Sequence, residues 1–480
     1  MKIKLPHVFV LLTSVILVCS VLTYIIPSGE YERETKLIGT KLIGTKERTL
    51  LKPGTYSEIP KHFSAEGVVV GDNKEGKASP VSILGFLTSI PRGMEEAADI
   101  IFFIFIVGGV FGILQKTGTI IAFIQKLLEL FGNSARLMVI ILMIALGIGA
   151  STLGMGEEFI PLVPLFLIIS KELGYDRIFG LAIVVLGAEV GFAAATTNPF
   201  TVQIAQGIAE LPLGSGIEFR IMFYVVCTIT SIIYLLRYGS KIKKDPSKSL
   251  MKDDDFNTDE LRFEKIKFTS SHMTIILISF ILFGIIIFAV QEFDWWINEM
   301  AGGFLLIGIV AAVISKIPIN EAAKSFVKGM EEMIVAALVV GFARGVQVVM
   351  NDGMILDTLI HSAASSLKNF HEFIAAGGML VFQTTLNFFI PSGSGQAAVT
   401  MPLMAPLADL IGLTRQTAVF AFTCGDGFSN MIIPTSGLLM AYLGVAKVNY
   451  TAWLRFALPI FLILFILSIA FLIIAVAINY

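Results

Sequence analysis

Glu157, Glu158, Glu189 and Asp426 stand where carboxylates are costly, each within or beside a long apolar stretch of the chain. Placing a charged group at membrane depth costs about 3 kcal/mol even on permissive insertion scales, so it needs a functional or paired explanation. An excess of acid at such a place suits a cationic substrate, a coupling proton or Na⁺. A dianionic substrate would instead favour Arg or Lys, which supply charge-assisted donors. Arg344 lies inside an apolar segment and is the one candidate to receive a substrate carboxylate. Arg344 and Arg220 could equally serve as structural partners of the acids.

The residues around these carboxylates share a pattern. Four apolar stretches are interrupted by helix breakers: Ser151 to Glu158, Gly187 to Pro199, Pro391 to Gln396 and Gly425 to Gly437. Gly156 and its neighbours permit close backbone approach, while Ser151, Thr197, Asn198, Ser392, Ser394, Gln396, Asn430 and Thr435 supply neutral hydrogen-bonding groups. Irregular backbone at membrane depth is tolerated only where it is buried in protein or lines a polar cavity. A broken helix frees carbonyls at one end, which can hold a cation or ammonium, and N–H groups at the other, which can hold a carboxylate. Together the four breaks form a candidate substrate and ion site. The competing reading is tight turns and packing glycines with locally satisfied polar groups.

The elements that position these residues are membrane helices. Apolar residues make up 55% of the 480 and charged residues only 15%, with 38 Phe. Mean hydropathy is +0.82. A soluble domain could not cover that much apolar surface, so the fold class is an all-α polytopic membrane protein. The net charge of −2 argues against nucleic-acid binding. Cys19, Cys227 and Cys424 lie in apolar runs without metal-ligand spacing and read as core hydrophobes. No phosphate loop and no paired His motif is present, which disfavours direct ATP drive and metalloprotease chemistry. No cofactor and no metal are expected, and the chain does not read as an enzyme.

Residues 1–26 follow Lys2 and Lys4 and read as an uncleaved first transmembrane helix, too long for a signal h-region. Residues 27–80 form a charged external loop with short strands, in which Lys36-Leu-Ile-Gly-Thr repeats from Lys41. Residues 237–271 form a second charged break, basic next to its helix at Arg237, Lys241, Lys243 and Lys244. That bias places it in the cytoplasm, with the N-terminus cytoplasmic and the C-terminus external in a multi-pass cell (inner) membrane protein.

The chain also repeats itself. Gly93-Met-Glu-Glu96 recurs as Gly329-Met-Glu-Glu332, Gly154-x-Gly-Glu157 as Gly393-x-Gly-Gln396, and Glu189-x-Gly-Phe192 as Asp426-Gly-Phe428. The first repeat then covers 81–236, with a hairpin at 137–171 and a broken helix at 177–199. The second falls within 272–480, with a hairpin at 373–411 and a broken helix at 415–437. Nine crossings (5–26, 97–116, 177–198, 219–237, 272–291, 298–315, 331–350, 415–434 and 453–476) make the two repeats opposite in topology, with each hairpin read as re-entrant and two full spans leaving the parity unchanged. Segments 119–131 and 354–369 are shorter and read as interfacial. Inverted repeats of this kind belong to secondary transporters.

Pro6-His-x-Phe9, Ile25-Ile-Pro-x-Gly-Glu30, Thr196-Thr-Asn-Pro199, Ile390-Pro-Ser-Gly-Ser-Gly-Gln396 and Gly425-Asp-Gly-Phe-Ser-Asn430-x-x-x-Pro434-Thr435 resemble the YfcC family over essentially the whole chain. That family is grouped with the anaerobic four-carbon dicarboxylate carriers of the wider ion-transporter superfamily. The resemblance implies a secondary carrier with a scaffold part and a mobile part, its site at two hairpin tips and two broken helices. Carried over by residue, it points to Ser151, Gly156, Glu157, Asn198, Ser392, Ser394, Gln396, Asp426, Asn430 and Thr435. Several members are regarded as arginine–ornithine or other basic amino acid antiporters, and the acidic bias favours that substrate class here. The alternatives are an H⁺- or Na⁺-coupled carrier of dicarboxylates and a non-transporting membrane scaffold. Partners expected are a small-molecule substrate, the lipid bilayer and, by analogy, a second copy in a homodimer.

Overall fold

The computed structural model describes residues 7–40, 44–72, 74–131, 135–251, 267–293, 295 and 297–480. Lys2, Lys4, Pro6, the second Lys-Leu-Ile from Lys41 and residues 252–266 of the 237–271 break therefore lie outside the described residues. The chain begins with α1 (Val8–Ile25) and a small β region, β1 (Ser28–Glu30), β2 (Arg33–Thr40), β3 (Gly44–Leu51) and β4 (Ser57–Ile59). β2 and β3 pair antiparallel from Arg33↔Leu51 to Thr40↔Gly44, so the first Lys-Leu-Ile-Gly-Thr lies on β2. β1 pairs antiparallel with β4.

Then come α2 (Ala65–Val69), α3 (Ile83–Glu96), α4 (Ala98–Lys116), α5 (Thr119–Phe131), α6 (Ala135–Leu153), α7 (Val163–Glu172), α8 (Arg177–Ala193), α9 (Val202–Ile208) and α10 (Ile217–Lys244). A 3₁₀ turn, Glu157–Leu162, joins α6 to α7. After the charged break follow α11 (Ser270–Glu292), α12 (Ile297–Ile314), α13 (Ile319–Glu332), α14 (Ile334–Asp352), α15 (Leu356–Leu367), α16 (Glu372–Asn387), α17 (Gly393–Leu410), α18 (Arg415–Ser429), α19 (Gly437–Ala446) and α20 (Tyr450–Ala477). Seven of these helices, among the described residues, are long and apolar enough to cross a membrane: α1, α4, α6, α10, α12, α14 and α20. The protein is mostly helical and multi-pass, as its composition requires.

The core forms around α8 and α18, which are buried along nearly their whole length. α8 is apolar on all sides except at Glu189, because other helices cover every face. α6 and α7 pack on α8, and α16 and α17 pack on α18. The ends of these groups meet at opposite poles. Lys243, at the end of α10, donates to the Leu173 carbonyl after α7 (3.3 Å), and Tyr238 donates to Asp176 before α8 (2.5 Å). At the other pole Tyr480 donates to the Gly216 carbonyl before α10 (2.9 Å), and Arg415 of α18 pairs with Asp409 of α17 (2.9 Å).

The repeated Gly-Met-Glu-Glu has a packing reason. α3 crosses α14 and α13 crosses α4, with glycine at both crossings. A Cβ at Gly93 would lie 2.5 Å from the Gly341 carbonyl oxygen and 2.6 Å from the Gly345 nitrogen. A Cβ at Gly329 would press on the Gly108 carbonyl and the Gly112 amide. Small residues let helix backbones approach where lipid gives no hydrophobic drive for association. Gly329→Ala is expected to cost about 1–3 kcal/mol through overpacking against backbone that cannot rotate away. Gly284→Ala, where a Cβ meets nothing within 4 Å, is expected to be neutral. Thermal melting of both variants in detergent checks this.

Candidate functional site

A cavity of about 350 Å³ lies where the interruptions converge. Of the residues singled out in the sequence, Gly156, Glu157, Glu158, Glu189, Arg344, Ser392, Ser394, Asn430 and Thr435 line it. Ser151, Thr197, Asn198, Gln396 and Asp426 do not line it; the first four sit in the structure that holds the interruptions open, and Asp426 is buried behind the wall.

The first hairpin turns at Gly154, whose φ of +72° favours glycine. A side chain there would also collide with Asn198 Oδ1 and Phe200. Ser151 fastens the hairpin to the break after α8. Its hydroxyl accepts from the Thr196 amide (3.0 Å), and its carbonyl accepts from the amides of Thr196 (3.1 Å) and Thr197 (3.2 Å). The Gly156 carbonyl accepts from the Tyr442 hydroxyl of α19 (2.6 Å), and the Gly156 amide donates to Glu158 (2.8 Å). Within the break, Asn198 is fully buried and accepts from the Phe200 amide (2.8 Å).

The second hairpin is held by an amide where the first uses a hydroxyl. Asn387, at the end of α16, is fully buried and donates to the Asp426 carbonyl (2.7 Å), the Ser429 hydroxyl (2.8 Å) and Asn430 Oδ1 (2.8 Å). Ser392 caps α17 through the Gly395 amide (3.3 Å), and the buried Gln396 donates to Gln383 Oε1 (2.7 Å). Two side chains cover carbonyls freed at the ends of α8 and α18. Arg220 of α10 donates to the Ala195 carbonyl (3.4 Å), and Trp453 of α20 donates to the Met431 carbonyl (2.9 Å). A cation at a helix C-terminus also complements the helix dipole.

Beside these contacts some buried side-chain atoms have no partner, among them Asn198 Nδ2, Gln396 Oε1, Thr435 Oγ1, Arg220 Nε and two of the acids. Both Asp426 oxygens and Glu189 Oε1 are buried without a hydrogen-bond partner. Asp426 Oδ2 faces the Gly393 backbone, beside the Thr201 side chain. The cavity wall carries five carboxylates, Glu96, Asp99, Glu157, Glu158 and Glu189, against one guanidinium, Arg344. That guanidinium is occupied by Glu96 (3.2 Å) and Gln347 (2.7 Å).

Glu96, Asp99, Phe192, Phe200 and Trp295 line the cavity although the site motifs did not single them out. Glu96 closes the repeated Gly-Met-Glu-Glu, and its charge at the mouth of an apolar helix was a readable signal. Trp295 comes from a distant connection, where spacing carries no information.

The profile of the C4-dicarboxylate anaerobic carrier family, DcuC, matches residues 5–477. The chain belongs to this family. It is 33% identical over 484 residues to an Escherichia coli (strain K12) protein named "Putative basic amino acid antiporter YfcC", covering 97% of this chain and 95% of that protein. A Haemophilus influenzae relative of uncharacterized function is 29% identical over 481 residues, covering 95% and 93%. Among solved structures it is similar to the Alcanivorax borkumensis YdaH transporter (16% identity, TM-score 0.45, 99% of both chains). It is also similar to Neisseria gonorrhoeae MtrF (17%, TM-score 0.41, 99% of this chain and 96% of that one). The DcuC-family chain is thus a multi-pass membrane protein of a transporter family.

Asn387→Ala and Asp426→Asn separate the holding groups from the left-over acids. Asn387→Ala removes a buried amide whose two hydrogens are shared among three acceptors and is expected to lower the melting midpoint, a loss of about 1–3 kcal/mol. Asp426→Asn leaves the midpoint unchanged or raised but abolishes uptake into liposomes. Melting and uptake measured on one preparation check both.

Proposed function

We propose that this DcuC-family protein is a secondary active transporter that exchanges basic amino acids, arginine for ornithine. The single observation that carries the reading is the cavity's charge: five carboxylates and a lone guanidinium already paired with Glu96. An arginine or ornithine side chain meets Glu157, Glu158 or Glu189 there. Its α-carboxylate meets the N-terminus of α17, where Ser392, Ser394 and the freed amides stand on the cavity wall. The name of the Escherichia coli relative agrees with this substrate class. Exchange of two equally charged substrates needs no separate energy source.

In this reading α6–α7 and α16–α17 are re-entrant hairpins entering from opposite faces, within two inverted repeats. The meeting of the α7, α8 and α10 ends at one pole, and of the α17, α18 and α20 ends at the other, favours it. The basic end of α10 would face the cytoplasm, with Tyr480 outside. Glu157, Glu189, Arg344, Ser392, Ser394, Asn430 and Thr435 form the substrate wall, while Ser151, Thr197, Asn198 and Gln396 hold the tips in place.

A second reading rests on Asp426, buried behind the cavity wall with both oxygens free. A group so placed could serve a coupling H⁺ or Na⁺ for a dicarboxylate. Liposomes loaded with ornithine are expected to take up labelled arginine several-fold faster than empty ones. Equal uptake into both would sink the exchange reading. Succinate uptake that collapses with the ion gradient would establish the second.

A further inference from the structure

The lipid-facing surface of α10 changes character at one end. Ile221, Val225, Ile229 and Ile233 follow one another at helical spacing and are each 44–52% exposed. The same stripe continues as Arg237, Lys241 and Lys244. α6 packs alongside α10, and its exposed stripe runs the same way: Arg136, then Leu137, Ile141, Ile144 and Ile148. Two separate clefts lie along these stripes. The basic one, of about 460 Å³, is walled by Arg136, Arg237, Lys241 and Lys244 over Ile233 and Leu236. The far one, of about 330 Å³, is walled by Ile148, Ile221, Val225 and Tyr224, and the exposed Ile229 lies on the stripe between them.

Charge and length both assign the occupant. α10 has 28 residues and is about 42 Å long, against a hydrocarbon core of about 30 Å. Its last turns therefore stand among the headgroups when its apolar part spans the core. Lys243, on the next face, is occupied by the Leu173 carbonyl and the Tyr175 ring. Arg136, Arg237, Lys241 and Lys244 have no carboxylate partner among the described residues. Four cations without a carboxylate partner among the described residues, around one cleft at the end of an exposed apolar stripe, match a molecule with an anionic head and hydrocarbon tails.

We propose that this α6–α10 face is a binding site for an anionic phospholipid. The phosphate sits among Arg136, Arg237, Lys241 and Lys244, and an acyl chain lies along Ile233, Ile229 and Val225 towards Tyr224. Thr152 of the first hairpin and Thr197 of the α8 break border the far cleft. A bound lipid thus touches the elements that hold the site, whichever substrate is carried.

The test uses the full-length protein purified in a neutral detergent. Phosphatidylglycerol, phosphatidylcholine or inorganic phosphate is added, reading retained lipid by native mass spectrometry and stability by melting. Phosphatidylglycerol is expected to be retained and to raise the midpoint, while the other two do neither. Arg237→Gln with Lys241→Gln changes two exposed side chains, and its melting without lipid reports folding. That double variant is expected to bind phosphatidylglycerol about 30-fold more weakly, the loss for two charges near a membrane surface. Lys328→Gln, an exposed lysine elsewhere, is expected to bind as the parent does. Equal retention of phosphatidylcholine, an equal effect of inorganic phosphate, or unchanged binding by the double variant would overturn the proposal.

Discussion

A backbone that abandons its own hydrogen bonds in a low-dielectric interior must have every freed group met by something else. The rest of this structure depends on that requirement. Ser151 and Asn387 each tie the first arm of a hairpin to the neighbouring broken helix. Arg220 and Trp453 each cover a carbonyl left open beyond such a helix. Tyr442 reaches the tip of the first hairpin from α19. The interruptions are thus held at defined positions by partners drawn from other helices, and the cavity is the space between them.

The partners of the backbone are mostly neutral, and among the described residues only Glu96 of the cavity's carboxylates has an ion-pair partner, Arg344. Removing a charge from water costs several kcal/mol per ion unless geometry returns it. Asp426 and Glu189 have oxygens to which no protein group donates. A structure that kept these groups for stability alone would have placed donors beside them, as it does for the backbone. In the proposed reading these oxygens are met by a cation or a proton when one arrives.

Much of this was legible in the sequence, for identifiable reasons. Membrane class followed from composition, and four interruptions followed from glycine, proline and hydroxyl residues set in apolar runs, but α8 stays helical to Ala193 and α18 to Ser429, so Glu189 and Asp426 stand on their last turns and not in a break. The roles within the interruptions were less legible. Asn387 resembles any polar residue near a helix end, and its three acceptors come from 39 to 43 residues away. Ser151 and Asn198 looked like ligands because their types suit ligands, yet the Ser151 hydroxyl and Asn198 Oδ1 meet backbone amides. Arg344 looked like an anion receptor until its pairing with Glu96, 248 residues distant, was visible. Long-range pairings of this sort have no local period, and only the fold reveals them. The strands between α1 and α3 were expected only as short ones, and the ion pair of Arg33 with Asp357 of α15 (2.9 Å) was outside any local pattern.

The central claim is that an acidic cavity, bounded by backbone interruptions satisfied from other helices, selects a cationic amino acid. Calorimetric titration of the purified protein tests it without requiring transport. The account predicts that arginine binds, that ornithine displaces it, and that succinate neither binds nor competes. Binding of succinate with no heat from arginine or ornithine would contradict it.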